Sequence, residues 1–216
     1  MAIKIYGSFR SPFVMAAALT VYEKNQEFEL VSVAFKSPEY LNNYNPFGKI
    51  PAYQDEDITL FESKAIMRYV ATKYEGERAP FLLGSTVGEQ ALCNQWLEVN
   101  SHSFTPPLME IALSFFRTPE GGPSVVEEAW EKLGKVLDIY EARLSASKYL
   151  AGDCYTLADL AHTPLFYVLK ALIDEEKQNS LTSQRPHVYS WIQDISSRAA
   201  WKKLTARPEN IHYKQR

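Results

Sequence analysis

The hydrophobic period changes once along this chain, and that change constrains the fold more than any other feature. Up to Tyr74, short runs with the two-residue period of strands alternate with runs at helical spacing. From Val87 onward only the helical period appears. Ile3 to Tyr6 reads as a strand. Pro12 to about Lys24 reads as a helix, with Val14, Ala18, Val21 and Tyr22 at helical spacing, and Phe28 to Val33 alternates as a strand does. This βαβ unit is expected to cross over right-handed. Lys36 to Asn45 is polar, with one irregular helical turn. Ile50 to Gln54 and Ile58 to Phe61 read as strands joined by Asp55-Glu56-Asp57, hence a hairpin. Ser63 is placed as the cap of a helix over Lys64 to Tyr74, with Ile66, Tyr69, Val70 and Tyr74 on one face.

The expected fold is therefore a small α/β domain at residues 1–76, built on a four-stranded mixed sheet. A polar linker at 77–86 and an all-helical domain at 87–216 follow it. In the helical part, Val125, Ala129, Leu133, Val136, Tyr140 and Leu144 keep one stripe. Leu157, Leu160, Ala161, Leu165, Val168, Leu169 and Leu172 keep another, with Pro164 expected to kink it.

Charge and composition exclude several function classes. The 23 basic and 26 acidic side chains nearly balance, and no Lys/Arg-rich run occurs, so a nucleic-acid partner is not expected. No window approaches the ~20 apolar residues of a membrane span, and MAIKIYG lacks the pattern of a secretory signal, so a cytosolic protein is expected. Cys93 and Cys154 are too few for a disulfide framework. With 4 dispersed histidines no metal-ligand spacing forms, and no metal is expected.

Four short segments carry candidate chemistry. Ser11-Pro12 has the form of a helix N-cap followed by proline at the first helical position. The same geometry also presents a hydroxyl beside the positive end of a helix, where it suits a thiolate or other anion. Ile50-Pro51 opens a strand. Read one way it is an ordinary strand-opening proline. Read the other way it is a cis turn that exposes the Ile50 backbone to an extended ligand pairing like an added strand. Glu62-Ser63 reads as a cap beside a solvated acid, or as a clamp for an α-amino acid end, with the acid on the ammonium and the helix start on the carboxylate. Thr156-Leu157-Ala158-Asp159 has the capping-box form, with Asp in the place of the commoner Glu, and is read as structural.

These features, in this order over this layout, resemble a cytosolic glutathione transferase. The carriers are SPFV, NPFGKIPAY, LFESKAIMRY and YLAGDCYTLADLAHTP, which together span nearly the whole chain. NPFGKIPA, LFES and KLGKVLDIYEARLSASKYLAG are similar to the plant phi class, and SPFVM looks more like the tau class. The resemblance implies a thioredoxin-like N-terminal domain that binds glutathione and an all-α C-terminal domain for a hydrophobic co-substrate. It implies Ser11 as the residue that stabilises the glutathione thiolate. It implies Ile50 and Pro51 as the partners of the cysteinyl part, and Glu62 and Ser63 as the holders of the γ-glutamyl end. Lys49 stands where the phi class usually has glutamine. FKSPEYL is shorter than the family's His/Lys-rich loop for the glycine carboxylate, which leaves Lys36, helped by Lys49, for that role. The co-substrate is expected against Phe13, Phe35, Phe104, Phe115 and Phe116. Glutathione is then a co-substrate, no cofactor is expected, and a homodimer is implied. Reduction of organic hydroperoxides is a second expected activity, and a non-catalytic carrier of hydrophobic ligands is the alternative on the same fold.

Overall fold

The computed structural model describes residues 2–34, 36–76, 80–116 and 123–208. Strand β1 (Ile3–Tyr6), helix α1 (Pro12–Glu23) and strand β2 (Phe28–Val31) form the βαβ unit, with β1 and β2 parallel. A short helix α2 (Pro38–Asn43) follows, capped by Ser37, whose side chain accepts from the Tyr40 N–H. Strands β3 (Ala52–Gln54) and β4 (Thr59–Phe61) make the hairpin, and helix α3 (Ser63–Lys73) closes the unit. The sheet order is β2-β1-β3-β4, with β3 antiparallel to both its neighbours. β1 spans the full expected run, whereas β2, β3 and β4 are one or two residues shorter than their apolar patterns, because edge residues of a run complete the alternation without completing the ladder.

Register explains the layers. Ile5 pairs with Tyr53, so the two side chains share a face, and the Tyr53 ring meets Tyr69 of α3 at 5.7 Å between centroids. Helix α1 packs on α3 and on β1, over a core of Val14, Ala17, Val21, Ile66, Met67 and Val70. Tyr6 and Ala52 face the other way. There they pack with Tyr40 and Tyr44 of the α2 region, with Tyr6 and Tyr44 at 4.1 Å.

One further helix belongs to this first unit. Leu83 ends its continuous part, and Ser197 onward returns to it, carrying α11 (Ala199–Thr205). This differs from the sequence division, which runs the helical domain to residue 216. The reason lies on α1. Glu23 sits in its last turn, where the helix dipole disfavours an acid, and is almost fully buried. Arg198 answers it with a two-pronged ion pair at 2.6 and 2.8 Å, and Trp201 and Leu204 of α11 are buried. A helical stripe alone does not say which layer it covers.

The second unit, Gly84–Ser196, is helical. It contains α4 (Val87–Val99), a π-helical turn (Asn100–Phe104), α5 (Thr105–Ser114), α6 (Pro123–Leu144), α7 (Leu157–Leu160), α8 (Thr163–Leu172), α9 (Glu175–Thr182) and α10 (Pro186–Ser197). Pro164 does not kink a continuous helix. The chain breaks between α7 and α8, and Pro164 lies in the first turn of α8, where its missing N–H has no helical partner to lose. The core holds an aromatic cluster of Trp96, Phe104, Tyr140, His162, Phe166 and Trp191. His162 Nδ1 lies 2.7 Å from the Ala158 carbonyl, so this nitrogen carries the proton. Nε2 then accepts from the Tyr140 hydroxyl at 2.8 Å.

Candidate functional site

The sheet register brings the sequence candidates to one end of the first unit. β1 runs toward Tyr6, and the loop after it leads to Ser11 at the start of α1. Tyr6 pairs with Ala52, so antiparallel β3 begins at that same end, directly after Ile50-Pro51. Ala52 pairs with Phe61, so β4 finishes there, directly before Glu62-Ser63. Val31 pairs with Tyr6, so parallel β2 also finishes there, and the segment bearing Lys36 leaves from the same end. Ser11, Lys36, Lys49, Ile50, Pro51, Glu62 and Ser63 thus converge although they are dispersed over more than fifty positions of sequence.

Ser11 is the N-cap of α1, with extended backbone and a half-buried side chain. Its oxygen accepts from the Val14 N–H at 3.5 Å, a long bond, and its own N–H donates to the Ser8 carbonyl at 2.9 Å. Capping uses a lone pair of the hydroxyl and leaves the proton uncommitted. A cap and an anion donor are therefore compatible roles for one serine.

Ile50-Pro51 is a cis peptide bond. Among the described residues, neither the N–H nor the carbonyl of Ile50 has a hydrogen-bond partner within the chain. The approach to it is held firmly. The Lys49 carbonyl accepts from the Tyr40 hydroxyl at 2.8 Å and from Asn45 Nδ2 at 2.7 Å, while Asn45 Oδ1 accepts from the Phe47 N–H at 3.0 Å. Tyr40 and Asn45 escaped the sequence reading. The Asn-Pro-Phe-Gly turn was the available signal, since an asparagine opening such a turn bonds its own backbone two residues on. Burial pushes the Tyr40 phenol up to about 12, so it serves as a donor throughout the physiological range.

Gly7 is the other unforeseen member. At φ +150° it lies between the two loops, and a Cβ there would sit 2.7 Å from Val14 Cγ2 and 3.2 Å from Ile50 Cβ. Gly7→Ala is expected to push Ile50 away from α1 and to lower stability by about 1–3 kcal/mol. A denaturant melt would register the loss.

At the third corner, the structure moves the helix start by one residue. Glu62, at φ +69°, is the cap residue of α3 and Ser63 is its first helical residue. The exposed Glu62 carboxylate and the Ser63 hydroxyl have no partner within the chain among the described residues. The Ser63 N–H, at the start of a helix, has no intrahelical acceptor. Lys36 and Lys49 are exposed and likewise unpaired among the described residues. The Lys36 stem crosses Gly48, whose added Cβ would meet Lys36 Cγ at 3.1 Å, so the two lysines flank one loop.

The chemistry available here is narrow. No histidine or cysteine precedes Cys93 in the sequence. Tyr6 donates its hydroxyl to Gln54 Oε1 at 2.7 Å, and burial, with Tyr44 beside it, pushes its phenol well above the usual tyrosine range. The end of the sheet therefore offers a serine hydroxyl at a helix start, free backbone groups at Ile50, a carboxylate and two ammonium groups. The chemistry of that set suits an extended peptide-like anion.

The aromatic candidates divide. Phe13 is half-buried in the first turn of α1, two residues from Ser11. Phe104 is fully buried, stacked against Tyr140 at 5.8 Å and edge-on to His162 at 4.7 Å, so its ring belongs to the helical core and presents no surface to a ligand. It is the last residue of the π-helical turn. Phe115 and Phe116, at the end of α5, are about half exposed. Phe35 lies outside the described residues.

Comparison with known proteins agrees with this architecture. Residues 1–72 match the family model of the glutathione S-transferase N-terminal domain, and residues 104–199 match that of the C-terminal domain. Glutathione S-transferase F13 of Arabidopsis thaliana is 42% identical, over 95% of this chain and 95% of its own. The crystal structure of glutathione transferase F7 from Populus trichocarpa superposes with a TM-score of 0.84 at 41% identity, covering 94% of this chain and 98% of that one. Glutathione S-transferase I from maize, solved in complex with an atrazine glutathione conjugate, superposes with a TM-score of 0.84 at 36% identity, covering 95% of this chain and 97% of that one. With both domain models matched and with relatives this similar over nearly its whole length, the chain belongs to the glutathione S-transferase family, alongside members of the plant phi class.

Proposed function

We propose that this chain is a glutathione transferase that joins the glutathione thiolate to small hydrophobic electrophiles. The observation that carries this reading is the convergence of Ser11, Ile50-Pro51 and Glu62-Ser63 at one end of the sheet, in a family whose maize member was solved with a glutathione conjugate. Glutathione is an extended tripeptide-like anion, and each part meets a suitable group. The γ-glutamyl ammonium goes to Glu62, and its carboxylate goes to Ser63 and the start of α3. The cysteinyl backbone pairs with Ile50, and the glycine carboxylate takes Lys36 and Lys49.

A free thiol has a pKa near 8.5, so only a few per cent is thiolate at pH 7. The Ser11 proton and the positive end of α1 favour the anion, and each unit of lowered pKa is about 1.4 kcal/mol of differential stabilisation. The thiolate attacks the electrophilic carbon, an S–C bond forms, and the leaving group departs with its electron pair. Ser11 stays non-covalent. The same thiolate attacks an organic hydroperoxide at oxygen, releasing an alcohol, and a second glutathione then completes the disulfide. Phe13, Phe35, Phe115 and Phe116 are assigned to the apolar side of the site, and glutathione is the only small molecule the chemistry requires beyond the electrophile.

We assign residues 1–76 to glutathione and the helical residues 87–196 to the co-substrate, and we propose a homodimer working in the cytoplasm. Among the described residues no helix is long and apolar enough to cross a membrane. The test is conjugation of glutathione to a nitroaryl chloride, followed by absorbance, beside direct titration of glutathione into the protein. Turnover with saturable glutathione binding supports the transferase. Binding of flat hydrophobic dyes without turnover would replace it by the carrier.

A further inference from the structure

The opposite end of the hairpin holds a side-chain cluster that the chemistry above does not use. Asp55 opens the β3–β4 turn and is 5% exposed. Its Oδ1 accepts from the Asp57 and Ile58 N–H groups at 2.9 and 3.1 Å, which builds the turn. Its Oδ2 accepts from the Tyr53 hydroxyl at 2.9 Å, the Tyr69 hydroxyl at 3.0 Å and Lys73 Nζ at 2.9 Å. Lys73 also pairs with Asp57. Burial by itself would raise the Asp55 carboxyl. Lys73 and the other donors outweigh it and hold the group well below the usual carboxylate range.

Tyr69 and Lys73 are four residues apart, hence on one face of α3 at its C-terminal end. The hairpin and α3 are thus joined twice. At one end the chain itself links β4 to α3 through Glu62. At the other, roughly 15 Å along the helix axis, the Asp55 carboxylate does so. The first junction carries Glu62-Ser63 and lies beside Ile50-Pro51. With both ends pinned, α3 cannot swing on the sheet, and the angle between the Ser63 N–H and the Ile50 backbone is set.

We infer that Lys73 and Tyr69, acting through Asp55, are positioning residues for glutathione: they fix the γ-glutamyl corner of the site relative to the cysteinyl corner from the far end of the hairpin. The inference rests on the glutathione reading of that site. A loosened clamp leaves Ser11 and α1 untouched. It should weaken glutathione binding and spare the turnover of the saturated enzyme.

The experiment measures the glutathione Kd by calorimetry, and kcat at saturating glutathione, for the native protein, Lys73→Met, Lys73→Arg and Tyr69→Phe. Thermal melts confirm that each is folded. Lys73→Met should weaken binding about tenfold with kcat within about twofold of native, and Lys73→Arg should recover most of the loss. Tyr69→Phe, which deletes one donor and keeps the ring, should weaken binding about threefold and serves if Lys73→Met does not fold. Folded variants with native Kd, or with kcat lowered and Kd unchanged, would overturn the inference and leave the transferase standing. A native protein that binds no glutathione would overturn both.

Discussion

Alanine at Ser11 should lower conjugation turnover about a hundredfold and leave glutathione bound, because a donor to a developing or resident anion is typically worth that much. The substitution leaves the contacts proposed at Ile50, Glu62, Ser63 and the two lysines untouched, so the KM for glutathione should move little. The cap itself contributes modestly. Its 3.5 Å bond to the Val14 N–H is long, and loss of a serine cap costs about 1 kcal/mol. The pH–rate profile separates the two roles. If the serine holds the thiolate, the alanine protein should recover activity as pH rises toward the free thiol range. A loss that is uniform in pH and tracks the melting temperature would mean the serine acts as a cap. Tyr6 is a poor substitute donor, since its hydroxyl is committed to Gln54 and its ring to the α2 side of the sheet.

Loss of the Asp159 carboxylate should be the most destabilising single change. Asp159 is fully buried at the start of α7, in a capping box with Thr156. Its Oδ1 accepts from the Leu150 N–H and from Trp191 Nε1, each at 3.0 Å, and its Oδ2 accepts from the Thr156 N–H at 3.0 Å. One side chain therefore satisfies donors from the loop before α7, from the helix start and from α10. Asp159→Ala orphans three of them in the core, and at about 1–3 kcal/mol for each the loss should reach about 3–5 kcal/mol in a urea melt.

The pH dependence has a definite sign. Burial pushes the Asp159 carboxyl up to about 6, against the lowering effect of its hydrogen bonds from Leu150, Thr156 and Trp191. Unfolded, it titrates near 3.9. Between these values the folded chain binds more protons, so this group makes stability fall as pH rises from about 4 through about 6, by roughly 3 kcal/mol in all. Asp55 acts oppositely. Its folded value is depressed, so its contribution is present above about pH 4 and is lost as pH falls below it. Asp159→Asn should remove the slope between pH 4 and 6, and equilibrium melts across that range would detect it. An unchanged slope would refute the assignment.

What could be read without coordinates follows from local rules. The two-residue and 3.6-residue periods located β1, α1, the hairpin and α3, because alternation and helical stripes are properties of neighbouring residues. Ser11-Pro12 and Thr156–Asp159 announced their helix starts for the same reason. Cap chemistry is contained within four residues. At Glu62 the reading slipped by one position, since a positive φ at a non-glycine cap leaves no mark in the pattern.

The rest required tertiary structure. An aromatic residue at helical spacing reads the same whether it lines a cleft or fills a core, and only packing placed Phe104 among Tyr140, His162 and Phe166. The return of α11 to Glu23, and the reach of Asp55 to Lys73, are pairings across chain separations that no local pattern encodes. By itself, the sequence determined which segments fold as strands and helices and which family they compose. Strand register decided which residues share one end of the sheet, because pairing Tyr6 with Ala52, and Ala52 with Phe61, turns distant positions into neighbours.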